Sequence, residues 1–303
     1  MKVTKKSQYS IAEHNFIFAL MMASAGMMGA YTFIVRGNVF CNAQTANVVL
    51  MSIAIGQGRW MDGLYFLIPM SAYLLGALIS ELLTINLTST SHFKWATYFV
   101  AFEMIVLLGI GFIPEAENTM HLVQVLINFL ASMQFTTFKR AEGIPMATTF
   151  CTNHIRQIGI SIANACKEKK FAPLKRGITH LTMIAFFFAG GVFLSLLTRV
   201  NREVSIFLGL VPLTIVLIML IYGDVLNNRA LKAKTACVDG ISESEDSDSA
   251  SIEVIADGTN NSADSNANAV DATICADVDY NTTSTSERVK SNTASDNDAC
   301  DGD

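Results

Sequence analysis

The sequence predicts an all-α integral membrane protein: about six transmembrane helices, two short or polar membrane-embedded helices beside them, and an acidic C-terminal tail. Three observations carry this. Hydrophobic residues make up 51% of the 303, and the mean hydropathy is +0.39, more apolar than an ordinary soluble domain. Apolar runs approaching 20 residues, the length needed to cross a bilayer core, recur along the chain. The charge is also divided. Residues 235–303 hold 16 Asp or Glu against Arg288 and Lys290, a net of −14, whereas residues 1–234 hold 19 Lys or Arg against 10 acids, a net of +9. The overall net charge of −5 therefore belongs to the tail, and the membrane part is basic.

The elements follow in order. Lys2, Lys5 and Lys6 precede an apolar run over 16–35. Ala23-Ser24-Ala25 resembles a signal-peptide cleavage site, but the run continues past it to spanning length, so it reads as an uncleaved first span. Further spans are predicted over 64–83, with Pro69 and Gly76 inside, and over 95–113, with Glu103 near the middle. Others cover 120–138, containing Gln134, and 178–197, containing His180 and Gly190-Gly191; the last covers 206–222. Arg229, Lys232 and Lys234 then form a stop-transfer cluster. The predicted organisation is a cytoplasmic N-terminus over 1–15, a membrane domain over 16–225 in halves 16–113 and 119–225, and a tail over 235–303. The tail has few aromatics and a high net charge, so it cannot bury enough apolar surface to fold alone. It reads as a disordered appendage, with a segment docking a cytoplasmic protein as the alternative.

Two segments do not make comfortable spans. Residues 42–55 have an apolar portion too short to cross before Gly56-Gln57-Gly58, and 147–165 carry Asn153, His154, Arg156, Gln157 and Asn164. With six crossings and a cytoplasmic N-terminus, 15 basic residues lie inside against four outside: Arg36, Arg59, Arg199 and Arg202. With eight crossings the division is 12 against six, so six is preferred and eight is the alternative. The halves echo each other: Thr32-Phe33 matches Thr137-Phe138, Thr45 matches Thr152, and Tyr73 to Gly76 resembles Phe187 to Gly190. Three crossings per half is odd, which would invert the second copy in an inverted 3+3 repeat.

Gly26-Met27-Met28-Gly29-Ala30-Tyr31-Thr32-Phe33 and Arg36-Gly37-Asn38-Val39-Phe40-Cys41-Asn42-Ala43-Gln44-Thr45-Ala46-Asn47 resemble the YoaK-like family of bacterial membrane proteins. Phe102-Glu103, Gln134, Phe138-Lys139-Arg140 and Ala147-Thr148-Thr149-Phe150-Cys151-Thr152 agree with it. The resemblance covers about residues 12–225 and implies a multi-pass protein of the bacterial plasma membrane with about six spans and no settled activity. It implies Asp where this chain has Gly29, Gly where it has Ala46, and Thr-Gly-Asn where it has Thr152-Asn153-His154.

The candidate ligand-binding residues are Asn42, Gln44, Thr45 and Asn47 in the first polar segment, and Thr149, Thr152, Asn153, His154 and Arg156 in the second. Their functional reading is a pair of short-helix starts whose N–H groups and side chains line a cavity. Their structural reading is capping and interhelical hydrogen bonding. Glu103, a lone acid at depth, is the candidate coupling residue for protons or ions. Arg156 could pair with an anionic ligand or with Glu103. No HExxH, GxSxG, Walker loop or GxGxxG is present, so no enzyme, catalytic residue or cofactor is expected. Cys41, Cys151, Cys166, Cys237, Cys275 and Cys300 form no CxxC pair or zinc spacing, so neither a metal site nor a disulfide framework is implied. The expected partners are membrane lipids and a small-molecule ligand, with no nucleic acid. The expected leading function is a secondary transporter or permease; a non-transporting membrane sensor or scaffold is the alternative.

Overall fold

The computed structural model describes residues 10–87 and 93–251. Among them the fold is all-α, apart from one small hairpin. The helices are α1 (Asn15–Val35), α2 (Gln44–Gly56), α3 (Trp60–Tyr65), α4 (Leu67–Leu87), α5 (Trp95–Ile110), α6 (Glu117–Thr137), α7 (Thr152–Glu168), α8 (Phe171–Leu197) and α9 (Leu210–Ser251). Each predicted apolar run is helical over most of its length. Among the described residues, four stretches are long and apolar enough to cross a membrane: Asn15–Val35, Trp60–Ile85, Phe171–Leu197 and Val204–Ala230. The helices α2 and α5 are shorter and apolar. The helix α6 has 21 residues but carries Glu117, His121, Gln124, Asn128 and Gln134, which dilute its apolar character.

The helix α1 is apolar nearly all round and is accordingly the one buried nearly all round, from Ile17 through Gly29. The helices about it turn large apolar side chains outward instead. Leu74 is 70% exposed, Ile105 69% and Phe188 69%, a pattern that suits hydrocarbon and would invite aggregation in water. The run over 64–83 is interrupted at Phe66, between α3 and α4. Pro69 lacks the N–H that would bond back to the Tyr65 carbonyl, and it sits in the first turn of α4, where that N–H is not needed within the helix. The hairpin pairs β1 (Arg140–Ala141) with β2 (Ile144–Pro145), antiparallel. Its two turn residues, Glu142 and Gly143, both have positive φ (46° and 77°), as the tightest hairpins require.

Two helix pairs dominate the packing, α1 with α8 and α4 with α6. Both are closed by glycine set against a facing backbone. A Cβ at Gly190 would strike the carbonyl of Ala23, and one at Gly26 the carbonyl of Phe187. A Cβ at Gly76 would strike the carbonyl of Phe129. Ala23 and Phe129, which receive Gly190 and Gly76, are 106 residues apart, between the offsets of 105 and 107 that relate Thr32 to Thr137 and Thr45 to Thr152. Small residues let helix backbones approach closely in this way within membranes, where apolar burial gives no driving force between helices.

Residues up to Asn228 form one compact unit, and the chain from Arg229 belongs to a second. The described part of that second unit is the continuation of α9 to Ser251, so helix extends past residue 235, where the tail was expected to be unstructured. The stretch from Arg229 contains no Pro, and elongating an existing helix avoids the cost of nucleation. The remainder of the predicted tail, 252–303, lies outside the described residues.

Candidate functional site

The first polar segment is shaped by how α1 ends. Gly37 (φ 84°) and Asn38 (φ 60°) reverse the chain, and the Asn38 N–H donates to the Phe33 carbonyl at 3.3 Å. That six-to-one bond past a left-handed glycine is a Schellman ending. A larger residue at Gly37 would be strained by the φ of 84° and would have to displace the side-chain ends of Met120 and Gln124 of α6. The chain then runs back beside α1 before α2 begins.

Asn42, 7% exposed, donates through Nδ2 to the Ala25 carbonyl at 3.2 Å and lies against Gly29, where a Cβ would come within 2.9 Å of that nitrogen. Asn47 is fully buried and holds Phe40 at both ends: its Nδ2 donates to the Phe40 carbonyl at 2.8 Å, and its Oδ1 accepts from the Phe40 N–H at 3.3 Å. Gln44 and Asn47 share a helix face, and Asn47 Nδ2 also donates to Gln44 Oε1 at 3.2 Å. Gln44 Nε2 donates to Asn128 Oδ1 at 2.8 Å, Asn128 Nδ2 to the Gln124 carbonyl at 2.8 Å, and Gln124 Nε2 to the Arg36 carbonyl. Thr45 is exposed, on the other side of the helix. The Gln44 amide thus ties α2 to α6, and the Asn47 amide holds the preceding chain at Phe40.

The second segment divides similarly. Thr149 is fully buried beside Tyr73 of α4. His154 is also fully buried; its Nε2 lies 2.8 Å from the Ala147 carbonyl and its Nδ1 3.0 Å from His180 Nδ1 of α8. Because a carbonyl only accepts, neutral His154 carries its proton on Nε2, and His180 then donates from Nδ1. This bond fastens α7 to α8. Thr152 and Arg156 are exposed, and Arg156 Nη2 donates to Asn153 Oδ1 at 3.1 Å. The anticipated pairing of Arg156 with Glu103 does not form: Glu103 is fully buried on α5, and neither carboxyl oxygen has a hydrogen-bond partner among the described residues. An exposed, flexible guanidinium on an amphipathic helix keeps its hydration instead.

The two segments meet along one groove of about 600 Å³ between α1 and α8. Gly26, Gly29 and Phe33 form one wall, Phe187 and Val192 the other, and both Asn42 and Cys151 reach into it. Cys151 immediately precedes α7, and Asn42 lies just before α2, so both short-helix starts arrive at the same place. The predicted site residues are therefore only partly assembled: Asn42 lines the groove, Gln44, Asn47 and His154 brace it, and Thr45, Thr152 and Arg156 point elsewhere. Cys41 is fully buried and does not open to it.

Several polar residues of structural weight were not singled out from sequence. Arg36, fully buried, donates to the Tyr31 hydroxyl at 2.8 and 3.0 Å and to the carbonyls of Ile113 and Pro114 at 2.6 and 2.9 Å, where the C-terminal dipole of α5 favours a cation. Asp224 of α9 accepts from the Lys94 N–H at 3.0 Å and Thr97 Oγ1 at 2.6 Å, capping α5 from another helix. The sequence signal for Gln124 and Asn128 was their four-residue spacing inside a predicted span; for Asp224 it was an acid just inside the stop-transfer cluster. Beyond the helix ends, Arg202 grips Glu115 with bonds of 2.9 and 2.8 Å, and that guanidinium holds the Glu115 carboxyl below its ordinary 4.5. Among the described residues no three His, Cys, Asp or Glu side chains converge as a metal centre would require.

A family profile described as "Protein of unknown function (DUF1275)" matches residues 17–220. The chain belongs to this family. The match covers α1 to α8 and the start of α9, and so includes both polar segments, Glu103 and the groove. This DUF1275 member is also similar to the UPF0700 transmembrane protein YoaK of Bacillus subtilis (strain 168), with 21% identity over 189 residues, 61% of this chain and 84% of the relative. The family, the transmembrane relative and the apolar helices agree on a YoaK-like membrane protein. No solved structure matches.

Proposed function

We propose that this protein is a secondary transporter, or permease, for a small molecule, with six crossings of the bacterial plasma membrane and both termini in the cytoplasm. The observation that carries the reading is the recurrence of one packing unit. The α1–α8 and α4–α6 pairs each seat a glycine on a facing carbonyl, the receiving residues 106 apart in sequence and the glycines 114 apart, and each half includes a short helix led by polar residues, α2 or α7. In the proposed topology the second half is the first inverted, an arrangement in which transporters place substrate between repeats near the midplane. Asn42 and Cys151 entering one groove fit that placement. The excess of basic residues on the proposed cytoplasmic side favours six crossings.

Coupling is assigned to Glu103, a buried acid whose oxygens have no partner among the described residues. Such a group is costly to keep unless it exchanges a proton or ion. Nucleophile–base geometry plays no part in the reading, which is non-enzymatic. The test is uptake into proteoliposomes driven by an imposed proton gradient. Glu103→Gln is expected to abolish the gradient dependence while leaving the protein monodisperse. Wild-type vesicles showing no flux of any solute screened by thermal stabilisation would refute the transport reading, and gradient-dependent flux persisting in Glu103→Gln would remove Glu103 from it.

A further inference from the structure

The groove between α1 and α8 has a chemical bias strong enough to name a ligand class, an inference that rests on the transport reading for its biological meaning but not for its test. Its walls combine bare glycine with aromatic rings, and both helices supply both. Gly26 and Gly29 leave α1 bare, Phe33 stacks on Phe40 with centroids 4.6 Å apart and planes 22° from parallel, and Phe187 and Phe188 rise from α8. At one end stands Arg199, which belongs to no ion pair among the described residues. Within the groove, Asn42 is nine-tenths buried; its Nδ2 is used by the Ala25 carbonyl, and its Oδ1 accepts no hydrogen bond among the described residues. From Ile184 to Leu196 the lining of α8 runs twelve residue steps, about 18 Å at 1.5 Å per residue, and Arg199 lies just past the helix end.

The other half shows that this opening is not a by-product of the packing. At the offset of 106 that relates Ala23 to Phe129, Gly29 corresponds to Phe135. The Phe135 ring packs against Phe150 with centroids 5.0 Å apart. The α4–α6 pair thus carries rings at the position where the α1–α8 pair has a bare glycine.

We propose that the α1–α8 groove binds an aromatic carboxylate: the flat ring lies over the glycines among Phe33, Phe40 and Phe187, the anionic group meets Arg199, and a ring N–H or hydroxyl can donate to Asn42 Oδ1. A volume of about 600 Å³ falls within the 300–1,000 Å³ of ordinary small-molecule sites. A planar ring offers large apolar contact for few rotatable bonds, and a guanidinium prefers a carboxylate partner.

The experiment measures thermal stabilisation of the purified full chain in nanodiscs of neutral lipid, with indole-3-acetate and its uncharged analogue indole-3-acetamide as probes. Indole-3-acetate is expected to stabilise the protein at a concentration about tenfold lower than the amide, as a charged hydrogen bond predicts. Arg199→Gln should bring the two probes together. Val192→Trp, which fills the groove from its exposed wall, should abolish stabilisation by both while the unliganded protein melts as before. Equal potency of the two probes, or stabilisation surviving Val192→Trp, would overturn the proposal. So would phosphatidylglycerol displacing indole-3-acetate, because the groove would then be a lipid seat. Binding without flux would refute the transport reading alone; flux of another solute without binding of either probe would refute the ligand assignment alone.

Discussion

The α1–α8 and α4–α6 pairs solve one packing problem with different side chains. Both bring backbones together with a glycine against a carbonyl, Gly190 on Ala23 and Gly76 on Phe129. Around that shared contact they diverge. The α4–α6 pair is finished with hydroxyl bonds: Ser80 Oγ lies 3.1 Å from Thr137 Oγ1, and Trp95 Nε1 donates to Thr137 Oγ1 at 3.0 Å. The α1–α8 pair has Leu194 where, at the offset relating Gly76 to Gly190, the other has Ser80, and beside it lies the groove. One pair is closed throughout, and the other is closed at its glycine contact with the groove beside it.

If the glycine contacts are equivalent, breaking them should cost the same. Gly190→Leu and Gly76→Leu each drive a side chain into backbone that cannot yield, and each should destabilise by about 3 kcal/mol or more, at or beyond the upper end for overpacking. The check is the fraction of monodisperse protein after extraction, with the melting temperature where it survives. A large loss for one variant and tolerance of the other would end the equivalence.

A smaller effect separates the buried from the exposed polar residues within each segment. Asn47→Ala leaves the Phe40 N–H and carbonyl without their side-chain partner, and should cost about 2 kcal/mol, the penalty of stranding buried polar groups. His154→Ala strands the Ala147 carbonyl and should cost a comparable amount. Thr45→Ala and Thr152→Ala, at exposed positions, should be nearly silent. Melting temperatures of the four variants in one detergent decide it.

The smallest effect lies at the helix ends. Because Arg202 holds Glu115 below its ordinary 4.5, the pair's contribution is complete above that pH and is lost as pH falls through the lowered value. The pair is partly exposed, so Arg202→Gln should cost under about 1 kcal/mol near neutrality and nothing in acid, where wild type and variant should melt together.

The apolar runs were legible because a spanning helix needs length and hydrophobicity, and both are countable. The short helices were legible for the opposite reason, since Asn42 to Asn47 and Thr149 to Arg156 interrupt those runs. The use of each polar side chain was not. Asn47 and Gln44 looked like ligand groups, yet they bond to Phe40 and Asn128, the latter 84 residues from Gln44, and no local pattern reports such a partner. Arg36 was counted only as an external charge, yet it is buried among carbonyls that also come from distant chain. The groove itself was illegible, since it depends on Gly29 facing α8, and a glycine at a packing contact reads the same as a glycine at a cavity.

If the protein is a transporter, its groove opens to each side of the membrane in turn, and Cys151, a half-buried thiol on the lining, reports this. In a background with Cys166 and the tail cysteines replaced by Ser, an impermeant thiol reagent is applied to right-side-out and inside-out vesicles. Alternating access predicts that Cys151 reacts from both sides, with each rate slowed by a bound ligand. Reaction from one side only would contradict it.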